Sequence, residues 1–222
     1  MGTVTDIPYQ YDDEKLALLV KSLSRERFNT YLTAVGDAGS TAAMQTYTWN
    51  ASVASRFHGP LHILEVTLRN SVHGRMSENH GAAWFELHYL HGSEKNAIND
   101  AKKFLTDRKE PATPGKVVAE VSFRFWVALF AKRYDSLWKS DLGRLFRPRF
   151  DRSALHEDLD RLRTLRNRIA HHEPLLSRKL MDDLDRIDRI VQALSPATAD
   201  WMRWHQRAQA VYGTPVHEIG SF

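Results

Sequence analysis

An all-α fold is expected for this chain of 222 residues, on three grounds. Apolar residues recur with helical rather than alternating spacing almost throughout. Glycine (11) and proline (8) are sparse and tend to fall between the periodic segments. Alternating runs of Val, Ile and Thr that would read as strands are missing. The periodicity predicts helices over roughly 12–22, 24–35, 40–57, 60–79, 93–107, 117–133, 151–172, 177–194 and 197–211, with a short turn near 136–142.

The punctuation justifies these elements in order. Gly59-Pro60 separates the third helix from the fourth, since proline suits a first helical turn. Gly81 follows the fourth. The stretch from Lys109 to Gly115, with Pro111 and Pro114, is the clearest loop. Phe123, Trp126 and Phe130 have the i, i+3, i+7 spacing of a core face, which outweighs a base-stacking role for the aromatic run around Arg124. Pro148 precedes an arginine-rich helix that Asp151 or Ser153 can cap. Pro174 ends that helix near Glu173, because the residue before a proline disfavours helical angles. Ser195-Pro196 separates the last two helices, and Trp201 and Trp204 read as anchors of the last one or as part of a dimer interface. No linker is biased enough to mark a boundary, so a single domain over 1–222 is expected, with residues 1–35 as an N-terminal helical extension.

Composition narrows the chemistry. Cysteine is absent, which excludes disulfides, thiolate metal sites and a Cys nucleophile. No stretch approaches the roughly 20 apolar residues of a membrane span. The N-terminus lacks a basic start followed by an apolar run, so a cytoplasmic protein without a membrane partner is expected. The net charge of +4 is modest, but its placement is uneven. From Arg144 to Arg168 there are eight arginines against four acids, so the whole excess could sit there. Arginine suits phosphate because its planar fork matches phosphate oxygens.

Within this segment, Leu155, Leu159, Leu162, Leu165 and Ile169 form an apolar stripe. With Leu155 at the origin, Arg166 falls at about 20°, inside the stripe, and Asn167 and His171 lie together on its edge at i and i+4. A guanidinium there is costly unless paired or open to a cleft. It reads either as half of a buried ion pair or as a functional group that overrides packing. The helix from Leu61 carries its own stripe of Leu61, Leu64, Leu68 and Val72. Glu65, Arg69 and His73 climb one edge of it, so Glu65 either pairs with Arg69 within the helix or faces Arg166 and orients it. Thr67-Leu68-Arg69-Asn70 echoes Thr164-Leu165-Arg166-Asn167, but no repeat period emerges around the match. His171, His172 and Glu173 are adjacent and diverge around a helix, so no metal site or cofactor is expected. His172 falls on the opposite flank, suited to packing beside Leu165 or to a helix end, and Glu173 reads as a supporting or solvated residue.

Arg166-Asn167-Arg168-Ile169-Ala170-His171 resembles the Arg-x4-His motif of HEPN-domain ribonucleases, including the polar residue after the Arg. The stretch from Leu165 to Leu175 looks like the signature of bacterial Abi-like (abortive infection) proteins. Leu64 to Asn70, Trp84-Phe85, Val117 to Trp126, and the tail with Ser195-Pro196 and Trp201 are similar to that family as well, so the resemblance spans about residues 22–205.

The resemblance implies an all-α, HEPN-like helical bundle with additional N- and C-terminal helices, often dimeric. It implies metal-independent RNA cleavage by transesterification in a phage-defence or toxin-like system, held inactive by an inhibitory RNA or a protein antitoxin. It assigns Arg166, Asn167 and His171 to catalysis. Glu65, Arg69, His172 and Glu173 are supporting candidates, and Arg163 and Arg168 are candidate RNA contacts. The residue types fit. Histidine titrates near neutrality, arginine can hold a crowded phosphate, and the Asn amide can orient either. Two other readings stay open: a non-catalytic RNA-binding or regulatory module of the same fold, and a structural helical protein tied by a buried Arg166–Glu65 pair.

Overall fold

The structure, a computed structural model, describes residues 9–205. It is all-α, with no strand among the described residues. Ten α-helices follow in order among the described residues: α1 (Asp13–Leu23), α2 (Arg25–Val35), α3 (Gly39–His80), α4 (Gly92–Asp107), α5 (Pro114–Glu120), α6 (Phe123–Ala128), α7 (Asp135–Ser140), α8 (Arg152–Ala170), α9 (Leu180–Leu194) and α10 (Pro196–His205). The expected extension of the last helix to 211 lies outside the described residues. No helix among the described residues is long and apolar enough to cross a membrane. The chain divides into two compact units; of the described residues, one takes 9–58 and 168–181, the other 59–167 and 182–205.

In the first unit, Asp12 caps α1 by accepting from the Lys15 amide at 2.8 Å. Leu16, Phe28 and Tyr31 from α1 and α2 share a core with Ala43 and Met44 at the start of α3, and Leu176 packs against it. Helices α1 and α2 therefore have a hydrophobic core in common with the start of α3.

Helix α3 corrects the expected break at Gly59-Pro60. It runs unbroken for 42 residues with Pro60 inside it. Proline removes one backbone donor and usually bends or breaks a helix. Here Phe57, Leu61 and Leu64 on both sides of it are buried, and such packing supplies most of a helix's stability in a protein. The expected stripe of Leu61, Leu64, Leu68 and Val72 is wholly buried. The far end of α3 is pinned within the second unit: the buried Asp141 carboxylate accepts from Asn79, from Ser140 Oγ at 2.6 Å and from His80 Nε2 at 3.2 Å. Burial alone would raise the Asp141 pKa, but these donors hold it below the usual carboxylate value.

A second correction concerns residues 117–133, expected as one helix. They form α5, α6 and a short 3-10 turn at Lys132–Tyr134. Val121 and Ser122 are extended, and the Ser122 carbonyl accepts the Phe125 amide at 2.9 Å, starting a new helix. The break buries Phe123, Phe125, Trp126 and Phe130 together, including Phe125, which a single continuous helix would place off the face of the other three. The core reading of Phe123, Trp126 and Phe130 holds. The anchor reading of Trp201 and Trp204 does not: they are 56% and 80% exposed, and α10 instead buries Ala199 and Met202.

Leu155, Leu159, Leu162 and Leu165 of α8 are fully buried. Leu165→Ala is expected to cost about 2–5 kcal/mol, the range for truncating a buried leucine, measured by urea denaturation.

Candidate functional site

Helix α8 starts where expected, with Asp151 Oδ1 accepting the Ala154 amide at 2.9 Å. Its buried band drifts as it advances. Leu159, Leu162 and Leu165 are spaced by three residues, and each step falls about 60° short of a full turn. By Leu165 the band has moved about 100° away from the direction of Arg166. Arg166 is accordingly exposed, the open rather than the buried of its two expected placements, and Ile169 is only half-buried.

Arg166 meets Glu65 of α3, with Nε 3.7 Å from Oε2 and side chains 45% and 24% exposed. Of the two roles open to Glu65, the structure has the one facing Arg166. Arg69 turns to its neighbour and donates Nε to Asn70 Oδ1 at 3.1 Å. The Glu65–Arg166 pair is solvated, so a buried pair holding the fold is not what this geometry provides. Asn167, next along α8, is half-buried.

His73, in the echo of the motif, has a structural role. Trp84 Nε1 donates to His73 Nδ1 at 3.0 Å, which leaves Nδ1 without a proton. Burial, and then the nearby Arg69 charge, lower the His73 pKa.

The segment after α8 departs most from expectation. The helix stops at Ala170, so His171, His172 and Glu173 lie in a turn and not on its last face. The His172 amide bonds the Ile169 carbonyl at 3.1 Å and the Glu173 amide bonds the Arg168 carbonyl at 2.8 Å. These are the two bonds of a Schellman turn, with His172 in the left-handed position usually given to glycine, at φ 56°. His172 therefore takes the helix-end role and is exposed rather than packed. Glu173 approaches Arg168, with Oε2 3.6 Å from Nε. Proline at 174 is the cause, since it follows the turn directly and cannot continue a helix. Helix α4 ends the same way: Lys109 is left-handed at φ 59°, the Lys109 and Glu110 amides bond Thr106 and Leu105 at 2.9 Å, and Pro111 follows.

The turn also has partners distant in sequence. Arg27 Nη1 of α2 donates to the His172 carbonyl at 2.5 Å, and the buried Asn50 of α3 accepts the Leu175 amide on Oδ1 at 2.7 Å. His171 itself is exposed. Nothing in the sequence singles out Arg27 or Asn50, which lie 145 and 125 residues from their partners.

Of the two candidate RNA contacts, Arg163 is held by Asp160 at 2.8 Å and Arg168 by Glu173. Asp158 takes Arg186 and Arg189. Asp160 and Glu173 thus offset charge on α8 itself, whereas Asp158 is engaged by arginines of α9. Among the described residues, no group of three or more His, Asp or Glu side chains is arranged to hold a metal ion.

Two outcomes follow. Arg166→Ala is expected to lose no more than about 1 kcal/mol of stability by urea denaturation, as for an exposed pair; a loss of about 3–5 kcal/mol would mean that the pair is buried after all. Because the folded state binds the His73 proton less readily than the unfolded chain, stability is expected to fall as pH drops below the unfolded value of about 6.5. Thermal melts between pH 7 and 5 should show a shallower fall for His73→Asn, which keeps an acceptor for Trp84 but does not titrate. His156, whose pKa burial also lowers, accounts for part of the remaining slope.

No family model, curated protein or solved structure matches the chain.

Proposed function

We propose that the protein is a metal-independent endoribonuclease of the HEPN type, acting in an abortive-infection, phage-defence or toxin-like system. The observation that carries this reading is Arg166. It is exposed although it interrupts a leucine helix, and a single carboxylate orients it without enclosing it. Its remaining guanidinium N–H groups are open to a phosphate. His171 follows five residues later on an exposed, hydrogen-bonded turn, as a proton-transfer group must be to reach solvent-borne RNA.

RNA brings its own nucleophile. A general base takes the proton from the 2′-OH, the 2′ oxygen attacks phosphorus, and the bond from phosphorus to the 5′ oxygen breaks as a general acid protonates the leaving oxygen. The products are a 2′,3′-cyclic phosphate and a 5′-hydroxyl. Arg166 stabilises the charge that builds on the phosphorane oxygens, and Asn167 orients the phosphate or the imidazole. His171 moves one of the protons. A homodimer supplies two such histidines, one for each transfer.

The test is RNA cleavage in the presence of EDTA by wild type, Arg166→Ala and His171→Ala, with the product ends analysed. The expected result is cyclic-phosphate ends from wild type and a loss of at least about 100-fold in each variant, the scale of general acid–base and electrostatic contributions. Activity that survives both changes would sink the proposal. Salt-sensitive RNA binding without cleavage by wild type would favour the non-catalytic module instead.

A further inference from the structure

His171 stands on a turn whose backbone is gripped from both sides. Upstream of Pro174, the Arg27 guanidinium on α2 donates to the carbonyl of His172 at 2.5 Å. Downstream, the buried Asn50 side chain on α3 accepts the amide of Leu175 at 2.7 Å, and Leu175 itself is fully buried. Both anchors hold main chain, so what they fix is the path of residues 171–175. A left-handed φ at a residue with a β-carbon persists where the surroundings hold it there. His172 adopts that conformation, and Arg27 grips the carbonyl of the same residue. The contact is charge-assisted, and it sets a cation at the C-terminal end of α8, where the helix dipole favours one.

We propose that Arg27 and Asn50 are positioning residues for His171: they lock the turn after α8, so that the backbone carrying the imidazole keeps one fixed path. The proposal rests on the ribonuclease reading for what His171 does, but not for whether it is held.

The test uses the full chain with Arg27→Ala, Arg27→Lys, Asn50→Ala and Asn50→Asp, with His171→Ala as reference. The first readout is independent of activity. Amide hydrogen exchange at His172 and Glu173, and the His171 ring signals, are followed by NMR. Arg27→Ala is expected to speed exchange at both amides about tenfold or more and to shift the ring signals. Arg27→Lys, which keeps a cationic donor, is expected to recover part of both. Asn50→Asp keeps an acceptor for Leu175, so it should perturb these signals less than Asn50→Ala. Unchanged exchange and ring signals in Arg27→Ala would overturn the proposal whether or not the protein cleaves RNA. The second readout is cleavage. Arg27→Ala is expected to lower kcat about 10–100-fold with KM little altered, the mark of a misplaced catalytic group, with partial rescue by Arg27→Lys. Full kcat in Arg27→Ala, alongside a dead His171→Ala, would overturn positioning and leave the ribonuclease reading standing. A wild type that cleaves no RNA would remove that reading, and the NMR comparison would still decide whether Arg27 holds the turn.

Discussion

A helix leaves its last carbonyls without partners, and α8 satisfies two of its own by folding the chain back on itself. The amides of His172 and Glu173 reach the carbonyls of Ile169 and Arg168, and this requires one left-handed residue. Pro174 prevents the helix from continuing, and Leu175 is buried immediately beyond it. The chain thus has four residues in which to leave α8 and bring Leu175 inside. The residue carrying the left-handed angle is a histidine, not a glycine, and Arg27 donates to the carbonyl of that same residue. His171, exposed, stands at the start of this ending. A helix continued to Glu173 would have set His171 on the same edge as Asn167.

The electrostatics of α8 depend on where its leucine face drifts. Because the buried band has moved away from Arg166, the guanidinium escapes the desolvation cost that the stripe would have imposed. Its partner Glu65 is close enough to direct it, and the pair is solvated enough to contribute little to stability. Arg163 and Arg168 show the same economy on a smaller scale, each facing one carboxylate at a partly exposed site. Weak, solvated pairs of this sort yield readily to a phosphate, which binds arginine through two parallel hydrogen bonds.

Much of the architecture was legible in the sequence. The leucine stripes of α3 and α8, the Asp151 cap, and the core role of Phe123, Trp126 and Phe130 follow from periodicity and spacing, which left the partner of Glu65 open between Arg69 and Arg166. The failures have specific causes. Gly59-Pro60 reads as a boundary by local preference, but burial on both sides keeps α3 intact. Residues 117–133 read as one helix because Phe123, Trp126 and Phe130 fit its period, and nothing local marks the extended pair Val121-Ser122. The end of α8 was readable in principle. Glu-Pro closes both α4 and α8, and each helix stops three residues before the Glu. Arg27 and Asn50 were beyond reach, because a side chain that grips a distant backbone leaves no pattern in its own neighbourhood. Which of its two placements Arg166 takes depends on the rotation of the buried band along α8, which an angle measured from Leu155 alone does not contain.

The central claim is that RNA is cut by its own 2′-hydroxyl, with the protein supplying proton transfer and charge. Its most direct test is an RNA substrate carrying a single 2′-deoxy substitution at a mapped cleavage position, compared with the unmodified strand. Cleavage is expected to disappear at the substituted position and to persist elsewhere. Equal cleavage of both strands at that position would contradict it, because the nucleophile would then have to come from water or from the protein.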